Sequence, residues 1–125
     1  VAISAATFTV LSTYGGTSST RTLSAFSLRV DTSPSGWGSS TSTTVGGTLA
    51  STALGAMSVT ISTLSPLVRA AGDAYPSSGQ ILVTGAANSK ARLTAQNAST
   101  VLIELDADGD GSFEQSKTVP WSDIV

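Results

Sequence analysis

Apolar and polar residues take turns along this chain in short runs, and a period of two belongs to a pleated strand, not to a helix. In "FSLRV" the side chains of Phe26, Leu28 and Val30 share one face, while Ser27 and Arg29 share the other. "MSVTIST" repeats the pattern with Met57, Val59 and Ile61 against Ser58, Thr60 and Ser62. "VLIELD" places Val101, Ile103 and Leu105 inward, with Glu104 and Asp106 toward solvent. No segment sustains a 3.6-residue apolar period bounded by capping residues. Further strands are expected in "AATFTVLSTY", "TLAST", "PLVRA", "QILVTG", "KARLTAQ" and "FEQSKTV", separated by the turn-forming clusters "YGGTSST", "TSPSGWGSS", "YPSSG", "GAANS" and "DADGDG". The spacing predicts an all-β fold: a two-sheet antiparallel β-sandwich of eight or nine short strands, with residues 1–125 forming a single domain. Residues 33–47, the longest polar stretch, are expected to form a mobile loop or to continue as an edge strand.

Composition narrows what such a fold can do. Only 11% of the 125 residues are charged, and Ser and Thr make up about a third of the chain, so hydroxyls must cover the surface where Lys and Glu usually do. A neutral hydroxylated surface suits secreted or cell-surface domains, and subunits that pack against copies of themselves without charge repulsion. There is no Cys, which removes disulfides, thiolate metal sites and thiol nucleophiles. There is no His either, so the commonest general base is missing. No G-x-S-x-G elbow occurs among the many serines. Enzymatic activity is therefore not expected. Six basic residues scattered over an acidic chain make no phosphate-binding stripe, which argues against nucleic acid. No run of about 20 apolar residues is present to span a membrane. The opening "VAISAATFTV" has no basic n-region and no Met, as expected of a chain that has been processed.

The first strand departs from simple alternation. Ile3 and Ala5 fall on one face, but Ala6, Phe8 and Val10 fall on the other, so both faces carry apolar groups. Two readings follow: a bulged or centrally buried strand of the chain's own sheet, or an assembly strand, residues 1–12, exchanged with or donated to a neighbouring copy.

Residues 105–114, "LDADGDGSFE", carry the one pattern with metal chemistry in it. A calcium loop of the EF-hand type supplies carboxylates from positions 1, 3 and 5, bends at Gly 6, uses a carbonyl at 7 and closes with Glu at 12. Asp106, Asp108, Asp110 and Gly111 meet the first four requirements and Ser112 the fifth, but position 12 is Lys117. Glu114, at position 9, is the remaining candidate ligand. Flanking strands place the motif at a hairpin tip, where Asp and Gly are also the residues of a metal-free turn. Calcium is the one cofactor this pattern suggests. The region also concentrates charge: residues 1–100 carry five basic and two acidic side chains, whereas residues 101–125 carry one Lys and six acids.

The C-terminal stretch "SSGQILVTGAANSKARLTAQNASTVLIELDADGDGSFEQSKTVPWSDIV", residues 77–125, resembles the C-terminal part of uncharacterised secreted proteins of Gram-negative bacteria. The likeness lies in the succession of a VTG turn, a strand, a second strand running into an Asp/Gly turn, and a near-terminal Trp. It implies secretion and a β fold, and it aligns that turn with Asp106, Asp108, Gly109, Asp110 and Gly111; it implies no activity.

Trp37, flanked by Gly36 and Gly38, is a large ring in a polar loop, suited to packing against the fold or to stacking on a sugar; Tyr14 and Tyr75, also beside turns, would extend such a platform. Trp121, after Pro120, is expected to plug one end of the core. Together these features predict a bacterial extracellular structural subunit that assembles with copies of itself into a surface filament, pilus-like fibre or coat. The alternative is a monomeric secreted binding module that contacts glycans or another surface ligand, with a calcium-stabilised hairpin.

Overall fold

The structure is a computed structural model, and it describes residues 1–14, 16–35, 38–52 and 57–124. The alternation becomes eight strands: β1 (Ala2–Tyr14), β2 (Thr17–Ser35), β3 (Gly38–Ser51), β4 (Ser58–Ala70), β5 (Ser78–Thr84), β6 (Lys90–Ala95), β7 (Thr100–Asp106) and β8 (Gln115–Pro120). All eight lie in one antiparallel sheet in sequence order, each bonded to the next. Strands that follow one another in the sequence are therefore antiparallel neighbours in the sheet, as short connections require. The sheet is open at β1 and β8, and the described residues form no second sheet behind it.

The strands are longer than their alternation suggested. Residues 33–47, expected as a mobile loop or an edge strand, are strand wherever they are described, and they pair from Pro34↔Ser39 to Ser27↔Gly46. Their polarity marks a face that meets water and not a loss of structure, because Thr is β-branched and favours the pleated backbone. Pro34 is tolerated because β2 runs past β1 there: the β1 partners on β2 end at Arg29.

Residues paired across strands share a face, so the register sorts the whole sheet. One row runs Phe8↔Leu23↔Leu49↔Val59, and the next runs Ile61↔Val83↔Ala91↔Leu105. Beyond them lie Ile81↔Leu93↔Ile103 and Ala95↔Val101↔Val119. Leu49 and Gly47, like Val59 and Ile61, are two residues apart, so these rows belong to one continuous apolar face. The adjacent residues make a polar row on the opposite face: Thr7↔Ser24↔Thr48↔Thr60↔Thr84↔Lys90↔Asp106.

The two apolar faces expected of β1 are one. Ile3, Ala5 and Phe8 line a single groove together with Leu23 and Phe26. The change of side occurs where the β1–β2 ladder skips between Ala5↔Phe26 and Thr7↔Ser24. Ala25 there takes a φ of 49°, and the β2–β3 register shifts by one residue between Ser24 and Ser27. The irregularity re-aims the side chains as a bulge does. Gly47 opposite makes room: a Cβ on it would stand 3.2 Å from both Phe26 Cα and Ser24 O.

Among the described residues, only one corner of the apolar face is covered. Trp121, on the 3-10 turn that follows β8 (Trp121–Asp123), packs with Ala95 and Val101, flanked by Tyr75, Leu93 and Val119. Its ring stacks on Tyr75 at 6.2 Å, and Nε1 donates to Pro76 O at 3.1 Å and to Asn97 O at 3.3 Å. The expected plug is thus in place, and it sets the extent of the core: Ala95, Val101 and Trp121 are the buried hydrophobic residues among those described.

Candidate metal centre and uncovered apolar face

The β7–β8 hairpin tip is built around Asp106. Alternation put its side chain on the polar face, and the expectation of solvent exposure was incorrect: it is 0% exposed. Burial is tolerated because every approach is polar. Gly109 N–H donates to Oδ1 at 2.7 Å, Gly111 N–H donates to Oδ2 at 3.1 Å, and Lys90 Nζ, its cross-strand partner, lies 3.6 Å from Oδ2. The loop then winds on side-chain-to-backbone bonds. Asp110 N–H donates to Asp108 Oδ1 at 3.2 Å and Ser112 N–H to Asp110 Oδ1 at 2.7 Å, while Ala107 N–H reaches Glu114 Oε2 at 3.2 Å.

A second hairpin holds the tip from outside. Between β5 and β6, on the 3-10 turn Ala86–Asn88, the Asn88 side-chain amide donates to Gly109 O at 2.9 Å. The two turns touch so closely that a Cβ on Gly109, whose φ is +78°, would stand 2.3 Å from Ala87 O. On the same polar face Arg92 donates twice to Glu104, at 2.7 and 2.9 Å, and its guanidinium carbon lies 4.2 Å from the centre of the Phe113 ring. These bonds hold the Glu104 carboxyl below its ordinary range, against an opposing push from burial, and raise Arg92.

This framework gathers oxygens. Asp106, Asp108, Asp110 and Glu114 each present a carboxylate oxygen within 4.8 Å of the others. Ligands of one calcium at about 2.3–2.6 Å stand up to about 5.2 Å apart, so the four oxygens are close enough together to share one such ion. Glu114, from position 9, stands with the three Asp residues, and Lys117 at position 12 does not: it lies on β8 and pairs with Ile103 of β7. Ser112 lies in the loop with its N–H turned to Asp110.

The aromatic platform does not assemble among the described residues. Tyr75 is half-buried against Trp121. Tyr14 ends β1 opposite Thr17, but its side chain, like all of Trp37, lies outside the described residues.

The expected assembly strand is the most exposed apolar part of the sheet. Ile3 is 54%, Phe8 59% and Val10 40% exposed. Phe8 and Val10 share a second groove with Arg21, Leu23 and Leu49. Sequence alone pointed to these residues but not to their joint face, because the reversal at Ala25 depends on backbone geometry at an ordinary alanine. No helix among the described residues is long and apolar enough to cross a membrane. The chain matches no protein-family model, no curated protein and no solved structure.

Proposed function

We propose that the protein is an extracellular structural subunit that assembles with copies of itself, as the units of a bacterial surface filament or coat do. The observation that carries this reading is an apolar face spanning eight strands with only the Trp121 corner covered by the described residues. A single sheet with a bare apolar face is not a stable end state in water; a second layer completes it. Counting only β1–β4, four strands about 4.8 Å apart and about 13 residues long present a face of roughly 800 Å², which is what each partner buries in a standard protein interface. The second sheet of the sandwich expected from the sequence is then supplied by another copy. Low charge and abundant hydroxyls on the remaining surface agree with close packing of identical units. Sedimentation velocity tests the reading: the native chain runs as a dimer or larger, and Phe8→Lys, which places a charge in the contact, lowers the mass. A native particle of one chain at every concentration up to about 100 μM contradicts it.

The acidic hairpin supports a second element of this reading, calcium as a stabilising ion. Four carboxylates this close repel by roughly 1 kcal/mol per pair even at the dielectric of water, and a divalent cation removes that repulsion. Asp106, Asp108, Asp110 and Glu114 would hold it, the ion supplying charge neutralisation and no reaction. Calorimetry with calcium is expected to show binding in the weak extracellular range, about 10⁻⁴–10⁻³ M, that is lost in Asp108→Ala. Absence of binding at 10 mM calcium removes this element and leaves the assembly reading standing.

A further inference from the structure

The two edges of the sheet are unlike. β8 is six residues long, carries Lys117 and ends in Pro120. A short strand with a Lys and a Pro is a protected edge, because the charge and the missing amide both oppose addition of another strand. β1 is 13 residues long, about 43 Å at the rise of a strand, with no charged residue and no Pro anywhere in it. Its inner side is taken by β2 along its length. Val1 and Val30 exchange both backbone bonds, at 2.6 and 2.7 Å, so in the alternation of an antiparallel pair the amides of Ala2 and Ser4 turn to the open side.

We infer that β1 adds to β1 of a second copy, antiparallel, joining two eight-stranded sheets edge to edge. This rests on the self-association reading and gives it a second, separate contact. The occupant is a copy of this chain because the edge is self-complementary. An antiparallel pair of identical strands has twofold symmetry, and an uncharged strand meets its own copy without repulsion. A twofold axis normal to the sheet also keeps both apolar faces on the same side. The exposed Ile3, Phe8 and Val10 of the two copies then lie along one seam and lose water there. Donation of β1 is not required: the strand stays with β2 and offers its other edge. An edge contact and a face contact, each closed by itself, are together enough to build an extended assembly from one kind of chain.

The test uses the full chain and two substitutions on exposed polar-face side chains of β1, with sedimentation mass and far-UV circular dichroism as readouts. Ser4→Pro removes an outward amide, and Thr9→Lys places a charge within one residue of the centre of the strand, where the two copies meet. Both are expected to reduce the native assembly to the two-chain particle held by the face contact while the strand signal is kept, and the amides of Ala2 and Ser4 are expected to exchange at least 100-fold faster in Thr9→Lys than in the native chain. Should Ser4→Pro lose the strand signal, Thr9→Lys decides, since it leaves every backbone donor in place. An assembly of unchanged mass in Thr9→Lys, with those amides exchanging freely in the native chain, overturns the edge contact and leaves face packing intact. A native chain that is monomeric overturns both.

Discussion

Asp106 shows how much one residue's role depends on what stands across the sheet from it. Its carboxylate is fully buried, yet two amides and Lys90 satisfy it. Removing it leaves those donors facing each other without an acceptor. Asp106→Ala is therefore expected to cost about 2–3 kcal/mol in urea unfolding, the range of hydrogen bonds to a charged group, whereas Asp108→Ala on the exposed side of the loop stays within roughly 0.5–1 kcal/mol without calcium. Gly109 is constrained from outside in the same way. A methyl group there meets Ala87 O, and the φ of +78° disfavours any side chain, so Gly109→Ala is expected to lower stability by more than about 1 kcal/mol. The alternation of Asp with Gly was visible in the sequence, and so was the position of a loop. The burial of Asp106 was not, because Lys90 sits 16 residues earlier, on a strand that only the register brings alongside.

At the scale of the strands, the Arg92–Glu104 pair links β6 to β7 and leans on Phe113 of the acidic loop. The Glu104 carboxyl is held below its unfolded range. Its contribution to stability is therefore fully present above the unfolded pKa of about 4.3 and is lost as the pH falls through the lower folded value. Urea midpoints measured from pH 6 down to pH 3 are expected to fall more steeply in the native chain than in Glu104→Gln; equal slopes would show that the pair does not carry the acid sensitivity. The strands themselves were legible where apolar residues alternate with polar ones. Phe26, Leu28 and Val30 are half-buried between the exposed Ser27 and Arg29, as "FSLRV" implied. Strand ends were not legible in the Ser/Thr-rich half. A pleated hydroxyl face and a polar loop have the same composition, and only pairing such as Thr41↔Thr32 separates them.

For the molecule as a whole, alternation identifies which face is apolar but says nothing about what covers it. The sequence led to two sheets because each strand has an inward face, and eight inward faces imply a partner layer. In the structure those faces line one side of one sheet, and among the described residues it is covered only where Trp121 and Tyr75 stack. A second copy is therefore expected to supply the missing layer. Methyl spectra of a mixture of isotopically distinct chains test this most directly, with filtering for contacts between copies. Cross-peaks between chains are expected among Leu23, Leu49 and Val59 of the apolar face, and they should disappear in Phe8→Lys. If these methyl groups show contacts only within their own chain while the protein sediments as a single 12.5 kDa unit, the apolar face is not covered by a copy and the account is wrong.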